Sequence, residues 1–386
     1  MNILYISLDD PRKTSTGSNQ RNHFLWKALQ RIGTVYAVYA VGPTSAPVDD
    51  KVDRVRSVCL KPSSWVEAKI RWFFRGLIKY GNWPFRDVAK VRRAIGWADV
   101  RFDIVVARCL GTASSLVAWK VAPLYVDIDD VPTLAFESVL KQMLPRFVVP
   151  LSRFLIHWWQ RYVIEKCTGV WIVKDTDKSE LPEATHYSLL PNISNTPSGL
   201  YSFEMLENCK SLIFIGNMGY SPNSEGVSWF LDTVWPVFYA SHKDWVFRVI
   251  GGNASETDKQ RWKAVSGVEV MGFVEDIECI YEKAYAVVAP INSGAGTCIK
   301  VIEGVVYGKK TFATPFAARG MSEDCIRDLG IDIFRDAKEF VRKFSDWVQI
   351  ESDERKRLLV QFSANARNAY SFDGFCNSVM GMLKND

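Results

Sequence analysis

Residues 285–309 read YAVVAPINSGAGTCIKVIEGVVYGK. An apolar run ends at Pro290, a turn with Gly294 and Gly296 follows, and a helix-like segment then carries Lys300 and Glu303 three residues apart. Strand, glycine turn and helix in that order suit a phosphate. Glycines let the backbone approach closely, and the free N–H groups of the first helical turn, near Thr297, point at the anion. Glu303 is placed to accept hydrogen bonds from a pair of ribose hydroxyls. The same residues also make a plain tight turn with a Lys300–Glu303 surface pair, worth at most ~0.5 kcal/mol. A redox dinucleotide fits worst, because position 299 is Ile rather than a small residue and the next strand, KTFATPF, does not end in an acid.

A second candidate is Asp127-Ile128-Asp129-Asp130, after the apolar run PLYVDID. Carboxylates at i and i+2 in a loop can take a divalent cation through oxygen, cap the next helix, or face a second substrate; the residues alone leave these open. The four histidines (23, 157, 186 and 242) form no ligand spacing. Eight cysteines lie scattered without a CxxC pair, which predicts a reduced protein without a structural zinc or iron–sulfur site. No Gly-x-Ser-x-Gly or His-Glu-x-x-His occurs, so a serine hydrolase or zinc protease has no support.

These residues need a frame, and the chain alternates β-like with α-like segments, the pattern of parallel sheets covered by helices. NILYISL, TVYAVYAV, DIVVARC, PLYVDID, GVWIVKD and HYSLLP read as strands, with helices at 18–32 and over most of 63–81. The polar stretch 192–210 interrupts the alternation, which resumes with SLIFIGN, WVFRVIG, VEVMGFV, YAVVAPI, KTFATPF and DIFRD. Ser221-Pro222 starts a helix over 222–236. The expected organisation is an N-terminal domain at 1–195, a linker at 196–210, a C-terminal domain at 211–370, and a last helix at 371–386 returning to the first domain. Ligands of doubly wound sheets bind beyond the carboxyl ends of the strands, so chemistry belongs at the strand-to-helix turns.

With 386 residues, 48% hydrophobic and 24% charged, the composition is that of a globular protein with room for two cores. The opening MNILYISLDDPRK lacks the layout of a signal peptide, and no run of about 18 apolar residues occurs, so a cytoplasmic protein is expected. The net charge of +5 is uneven: residues 61–93 hold nine Lys/Arg against two acids, among seven aromatics. Residues 138–164 hold Lys141, Arg146, Arg153 and Arg161 with no acid. Such clusters suit an anionic membrane surface on its inner face, and equally suit amphipathic helices with solvated cations. Nucleic acid is not expected, since no binding motif accompanies the charge.

Three segments occur in order: FIGNMGYSPNSEGVSWF (214–230), GVEVMGFVEDIECIY (267–281) and APINSGAGTCIKVIEGVVYGKKTFATPFAARGM (289–321). Together they resemble the second domain of family 4 (group 1) glycosyltransferases. Strand, glycine and helix at 3–32 and LLPNIS (189–194) resemble that family's first domain less sharply. The resemblance implies a GT-B fold, two doubly wound Rossmann-like α/β domains facing across a cleft. It implies a retaining, metal-independent transfer from a UDP- or GDP-linked sugar, without a further cofactor, to a glycan or lipid-linked acceptor in cell-surface polysaccharide synthesis. Gly216 and Asn217 would border the diphosphate, Phe273 and Val274 the base, Gly294, Gly296 and Thr297 the sugar–phosphate, and Glu303 the ribose. Gly17, Ser18, Arg21 and Asp127 would lie on the acceptor side.

The sequence also departs from the family. Ala295 stands where a first carboxylate often precedes the ribose-binding Glu, and Cys298 stands where this branch often has Arg. Asn217-Met218-Gly219-Tyr220 offers no cation where many members place Arg and Lys. Lys300, Arg319 and Arg108 are then the candidate catalytic cations for the leaving diphosphate, with Arg21 a further one. Two rival readings stay open: a nucleotide-sugar epimerase of the same architecture, and a non-catalytic nucleotide-sugar-binding subunit.

Overall fold

The computed structural model describes residues 1–14, 17–41, 48–59, 97, 99–115, 118–136, 146–183, 186–197, 209–294 and 296–384. The basic aromatic segment 61–93, the helix expected over 63–81 and Ala295 lie outside the described residues. The chain divides into two compact units, Met1–Pro191 with Phe372–Asp386, and Asn192–Ser371.

In the first unit the described strands form one sheet in the order β3-β4-β2-β1-β5-β6-β7-β8. They are β1 (Asn2–Ser7), β2 (Thr34–Val41), β3 (Asp49–Asp50), β4 (Val55–Cys59), β5 (Ile104–Arg108), β6 (Leu124–Ile128), β7 (Gly169–Ile172) and β8 (Tyr187–Leu189). All pairings are parallel except β3 with β4. Helix α1 (Gly17–Gln30) follows β1, α2 (Leu110–Ser115) follows β5, and α3 (Pro132–Ala135) and α4 (Val149–Ile164) follow β6. The inner strands bury both faces, as the continuous apolar runs of β1, β5 and β6 require. Their side chains form a core with Leu110, Val163 and Ile164 from the helices.

The second unit is a six-stranded parallel sheet in the order β11-β10-β9-β12-β13-β14. Its strands are β9 (Ser211–Ile215), β10 (Val246–Ile250), β11 (Val268–Gly272), β12 (Ala286–Ala289), β13 (Lys310–Ala313) and β14 (Ile331–Ile333). Helices α5 (Ser221–Thr233), α6 (Trp235–Ser241), α7 (Glu256–Lys263), α8 (Ile277–Glu282), α9 (Ile299–Val306), α10 (Glu323–Asp328), α11 (Ala337–Gln349) and α12 (Ser352–Ala369) alternate with them or follow. An aromatic core of Phe230, Phe238, Phe247, Phe340 and Phe344 packs mostly edge to face, with centroids 4.8–6.3 Å apart. The last helix, α13 (Phe372–Lys384), belongs to the first unit. There Arg31 pairs with Asp373 at 2.6 Å, and Phe24 packs on Phe372.

Both sheets reverse their strand order once. In the first unit the reversal falls between β1 and β5, and in the second between β9 and β12. A doubly wound sheet opens a crevice at such a point because the crossovers leave in opposite directions. Among the described residues no helix is long and apolar enough to cross a membrane.

Candidate functional site

The reversal in the second unit brings together the turn after β9 and the glycine loop after β12. At the first, Gly216 is hemmed in: a Cβ there would lie 2.7 Å from Cε of Lys300 and 3.0 Å from Nδ2 of Asn223. Its neighbour across the sheet is Gly251, at φ 138°, where a Cβ would collide with the Gly216 carbonyl oxygen at 1.7 Å. Gly251 therefore has to be glycine, whereas a side chain at Gly216 would displace the Lys300 side chain. The rim is tied by backbone bonds from Gly216 N to Ile250 O, Met218 N to Gly252 O and Gly251 N to Gly272 O. Asn217 is an anchored residue: its side-chain oxygen accepts from Gly219 N (3.0 Å) and Asn253 Nδ2 (3.1 Å), and its carbonyl accepts from the buried Asn223 (2.7 Å).

In the glycine loop, Gly294 (φ 115°) and Gly296 (φ 66°) adopt conformations that a side chain opposes. Gly294 also passes against Tyr220 and Pro222, the first turn of α5. The N-termini of α5 and α9 therefore lie at one corner. Neither is capped, since Tyr220 and Cys298 make no side-chain bond to the first turn. Such helix ends present unsatisfied N–H donors and a partial positive charge. Lys300 adds a whole charge beside Gly216, with its ammonium 5.8 Å from the Phe214 ring. Among the described residues no carboxylate lies within ion-pair distance of Lys300.

Thr297 accepts a 2.7 Å bond from Asn192, the first residue of this unit, so the loop is also held from its far side. Glu303 is buried one turn into α9, and its Oε2 accepts from the Tyr281 hydroxyl at 3.0 Å. Tyr281 stacks on Tyr307 at 4.1 Å. Burial, and next the negative charge of Glu303, hold the Tyr307 phenol well above its usual range. Phe273 is 67% exposed at the end of β11, beside Gly252, while Val274 packs on the core. Arg319 stacks on Phe316 at 3.9 Å and donates to its carbonyl at 2.8 Å.

The first unit's reversal carries different electrostatics. Gly17 and Ser18 open α1. Arg21 grips Asp127 with two bonds, Nε to Oδ2 at 2.9 Å and a terminal nitrogen to Oδ1 at 2.5 Å. Arg108, the register partner of Asp127 on β5, reaches Asp127 at 3.0 Å and Asp129 at 2.8 Å. Tyr5 lies below with its hydroxyl on Asn22, and burial holds that phenol far above its ordinary range. Arg21, Arg108 and Asp127 are all buried. Asp127 is thus held by two guanidinium groups, and Arg21 and Arg108 are each matched by carboxylate.

Of the residues singled out in the sequence, Gly216, Asn217, Gly294, Gly296, Thr297 and Lys300 gather at the β9/β12 corner. Glu303 lies beneath it, and Phe273 stands along the same rim. Sequence reading missed Asn223, Asn253 and Tyr281 as supports. Two of them left a signal: Asn223 closes the Gly-x-Met-x-Tyr-x-Pro-Asn run at 216–223, and Asn253 follows Gly251-Gly252 and here adopts φ 64°.

Residues 209–349 match the family described as glycosyl transferases group 1. No curated protein sequence matches. Solved structures share the whole architecture. Sucrose-phosphate synthase from Thermosynechococcus elongatus superposes with a TM-score of 0.70 at 11% identity, covering 100% of this chain and 98% of that one. The UDP-forming trehalose-phosphate synthase from Burkholderia xenovorans gives 0.67 at 11% identity, covering 99% and 98%. Anabaena HepE, solved with UDP and glucose, gives 0.62 at 11% identity, covering 99% and 98%. At such identities the likeness establishes the fold, which is GT-B.

Proposed function

We propose that this GT-B glycosyltransferase, with its group 1 domain at residues 209–349, takes a sugar from a UDP- or GDP-linked donor and transfers it to a glycan or lipid-linked acceptor in cell-surface polysaccharide synthesis. The observation that carries the donor half is the β9/β12 corner: two uncapped helix N-termini, glycines that leave the backbone accessible, and Lys300 without a carboxylate partner among the described residues. A diphosphate supplies the missing negative charge. HepE, of the same fold, was solved with UDP and glucose, which supports a nucleotide sugar as the donor.

In this reading Gly216 and Asn217 border the diphosphate, and Gly294, Gly296 and Thr297 cradle the sugar–phosphate. Glu303 holds the ribose, and Phe273 and Val274 flank the base. Lys300 stabilises the charge that develops as the bond from the sugar's anomeric carbon to the diphosphate breaks. The acceptor hydroxyl oxygen bonds that carbon on the same face and gives its proton to the departing diphosphate oxygen, so configuration is retained. The protein contributes orientation and fixed positive charge. Arg319 is a second cation for the departing group once it leaves the Phe316 carbonyl.

A thermal-shift screen against UDP, GDP, ADP, CMP and their sugars tests this, because a ligand of the folded state raises the melting temperature. UDP- or GDP-sugars should raise it, and a flat response to all of them sinks the reading. Labelled donor incubated with and without acceptor then separates transfer from isomerisation of the sugar. An altered sugar formed from the donor alone identifies an epimerase.

A further inference from the structure

Helix α4 carries more apolar surface than its own core needs. It buries Ser152, Ile156, Gln160, Val163 and Ile164 in the first unit. On the opposite side Leu151, Phe154 and Trp158 are 60%, 66% and 54% exposed, and Phe147, in the turn just before, is 85% exposed. At 3.6 residues per turn, Leu151, Phe154 and Trp158 fall within about 60° of one another and about 180° from the buried stripe. They therefore point straight away from the unit. A folded chain rarely aligns large apolar side chains on its outermost face unless something covers them.

The flank of that stripe says what. Arg153, His157 and Arg161 follow at i, i+4 and i+8, all exposed, with Arg146 before them and Lys166 after. Across 146–166 four Lys/Arg face a single acid, Glu165, which bonds Arg161 at 2.8 Å on the exposed surface. Trp158 stacks on Tyr162 at 5.9 Å, and Lys166 lies 5.6 Å from the Tyr162 ring. Aromatic side chains at the tip with cations alongside are the composition of a helix that lies in a lipid headgroup layer. A second copy of this chain is a poor cover, because a two-fold contact through the stripe would set the same basic row against itself.

We propose that α4 docks the protein on an anionic lipid bilayer, with Phe147, Leu151, Phe154 and Trp158 entering the acyl boundary and Arg146, Arg153, Arg161 and Lys166 meeting headgroup phosphates. This deepens the reading of a lipid-linked acceptor and rests on it for its purpose, since docking brings such an acceptor within reach. The surface itself is tested separately from the donor site.

The full-length protein is sedimented with vesicles of phosphatidylglycerol and phosphatidylcholine, and with phosphatidylcholine vesicles alone, at low and at molar salt. It should pellet with the anionic vesicles at low salt. Molar salt, where the screening length is about 3 Å, should weaken binding by roughly tenfold or more. The triple variant Leu151→Ser/Phe154→Ser/Trp158→Ser should weaken it by at least about tenfold. That variant should keep its melting temperature and its thermal response to the sugar nucleotide, because the replaced side chains face outward. Arg153→Gln/Arg161→Gln should flatten the salt dependence. A wild-type protein that stays in the supernatant overturns the proposal, as does a triple variant that binds normally. A dimer seen by light scattering that the triple variant dissociates assigns the stripe to a second copy instead. Loss of vesicle binding with intact nucleotide response separates this surface from the donor site, whose own failure shows only in the nucleotide screen.

Discussion

Removing the Glu303 carboxylate should weaken the nucleotide more than it weakens the fold, and three variants separate the two effects. Glu303 is buried, with Oε2 accepting from Tyr281 at 3.0 Å. If it also accepts from ribose hydroxyls, Glu303→Ala removes a charge-assisted hydrogen bond worth about 1.5–3 kcal/mol. That corresponds to roughly a 10- to 150-fold rise in Kd. The same change orphans the Tyr281 hydroxyl, so stability falls by about 1–3 kcal/mol as well. Glu303→Gln keeps an acceptor for Tyr281 while removing the charge, so it should cost under about 1 kcal/mol of stability yet still lose about tenfold in affinity. Tyr281→Phe does the reverse. It keeps the carboxylate, loses one buried hydrogen bond of about 1 kcal/mol, and should leave Kd within roughly threefold. Calorimetric titration with the sugar nucleotide found by thermal shift, alongside urea unfolding, reads both quantities. An unchanged Kd in folded Glu303→Ala refutes the ribose assignment and leaves Glu303 as a buried partner of Tyr281.

Lys300→Ala should lower kcat by roughly 100-fold or more, the range for loss of a single preorganised charge on a developing anion, with a smaller change in KM; equal effects on both would make it a ground-state binding group. Asp127→Asn should destabilise the protein by about 3–5 kcal/mol, since Arg21 and Arg108 would stay buried without their shared counter-charge; a loss below about 1 kcal/mol in urea unfolding contradicts that. Burial holds the Lys309 ammonium down to about 8 from its ordinary 10.5. Below pH 8 both states carry the proton and the folded state bears the full penalty of the buried charge. Between pH 8 and 10.5 the unfolded chain binds more protons, so stability should rise with pH, by on the order of 3 kcal/mol in total. Lys309→Met should remove that rise and be the more stable protein at pH 7; denaturation midpoints across the window check both.

The strands were legible because a parallel sheet buried on both faces needs unbroken β-branched and aromatic runs, and TVYAVYAV is β2 to the residue. β4 was not legible. Val55-Arg56-Ser57-Val58-Cys59 carries a charge in its middle and follows Arg54 at φ 53°, which reads as a turn. Near the sheet edge that charge is tolerable: Arg56 reaches Asp49 on the two-residue edge strand at 2.6 Å and packs over Trp97. The glycine corner was visible because a glycine forced by close approach leaves a local mark. Long-range partners were not, since Asn192 meets Thr297 of that corner across 105 positions and, in the other unit, Arg21 meets Asp127 across 106. Such pairs are set by which strands become neighbours. Asp127 looked like a loop acid because Asp-Ile-Asp-Asp closes an apolar run, but β6 lies between β5 and β7, so its last carboxylate is walled in and meets Arg108 across the register.

The same strand reversal occurs in both units, yet the proposed diphosphate site lies in only one of them, and the reason for that proposal is electrostatic. In the first unit the cations at the reversal, Arg21 and Arg108, are already bonded to Asp127 and Asp129. An incoming phosphate there would have to displace a buried carboxylate, leaving a charge stranded at a cost of several kcal/mol. In the second unit the corresponding corner has donors at two helix ends and one lysine, and no carboxylate answers that lysine among the described residues. The buried acid nearby, Glu303, lies a turn further along α9 with its hydrogen bond directed to Tyr281. The two reversals thus share a topology and differ in charge, one with its arginines matched by carboxylates and one with a lysine that no described carboxylate meets, and the proposed placing of the donor in the second unit rests on that difference.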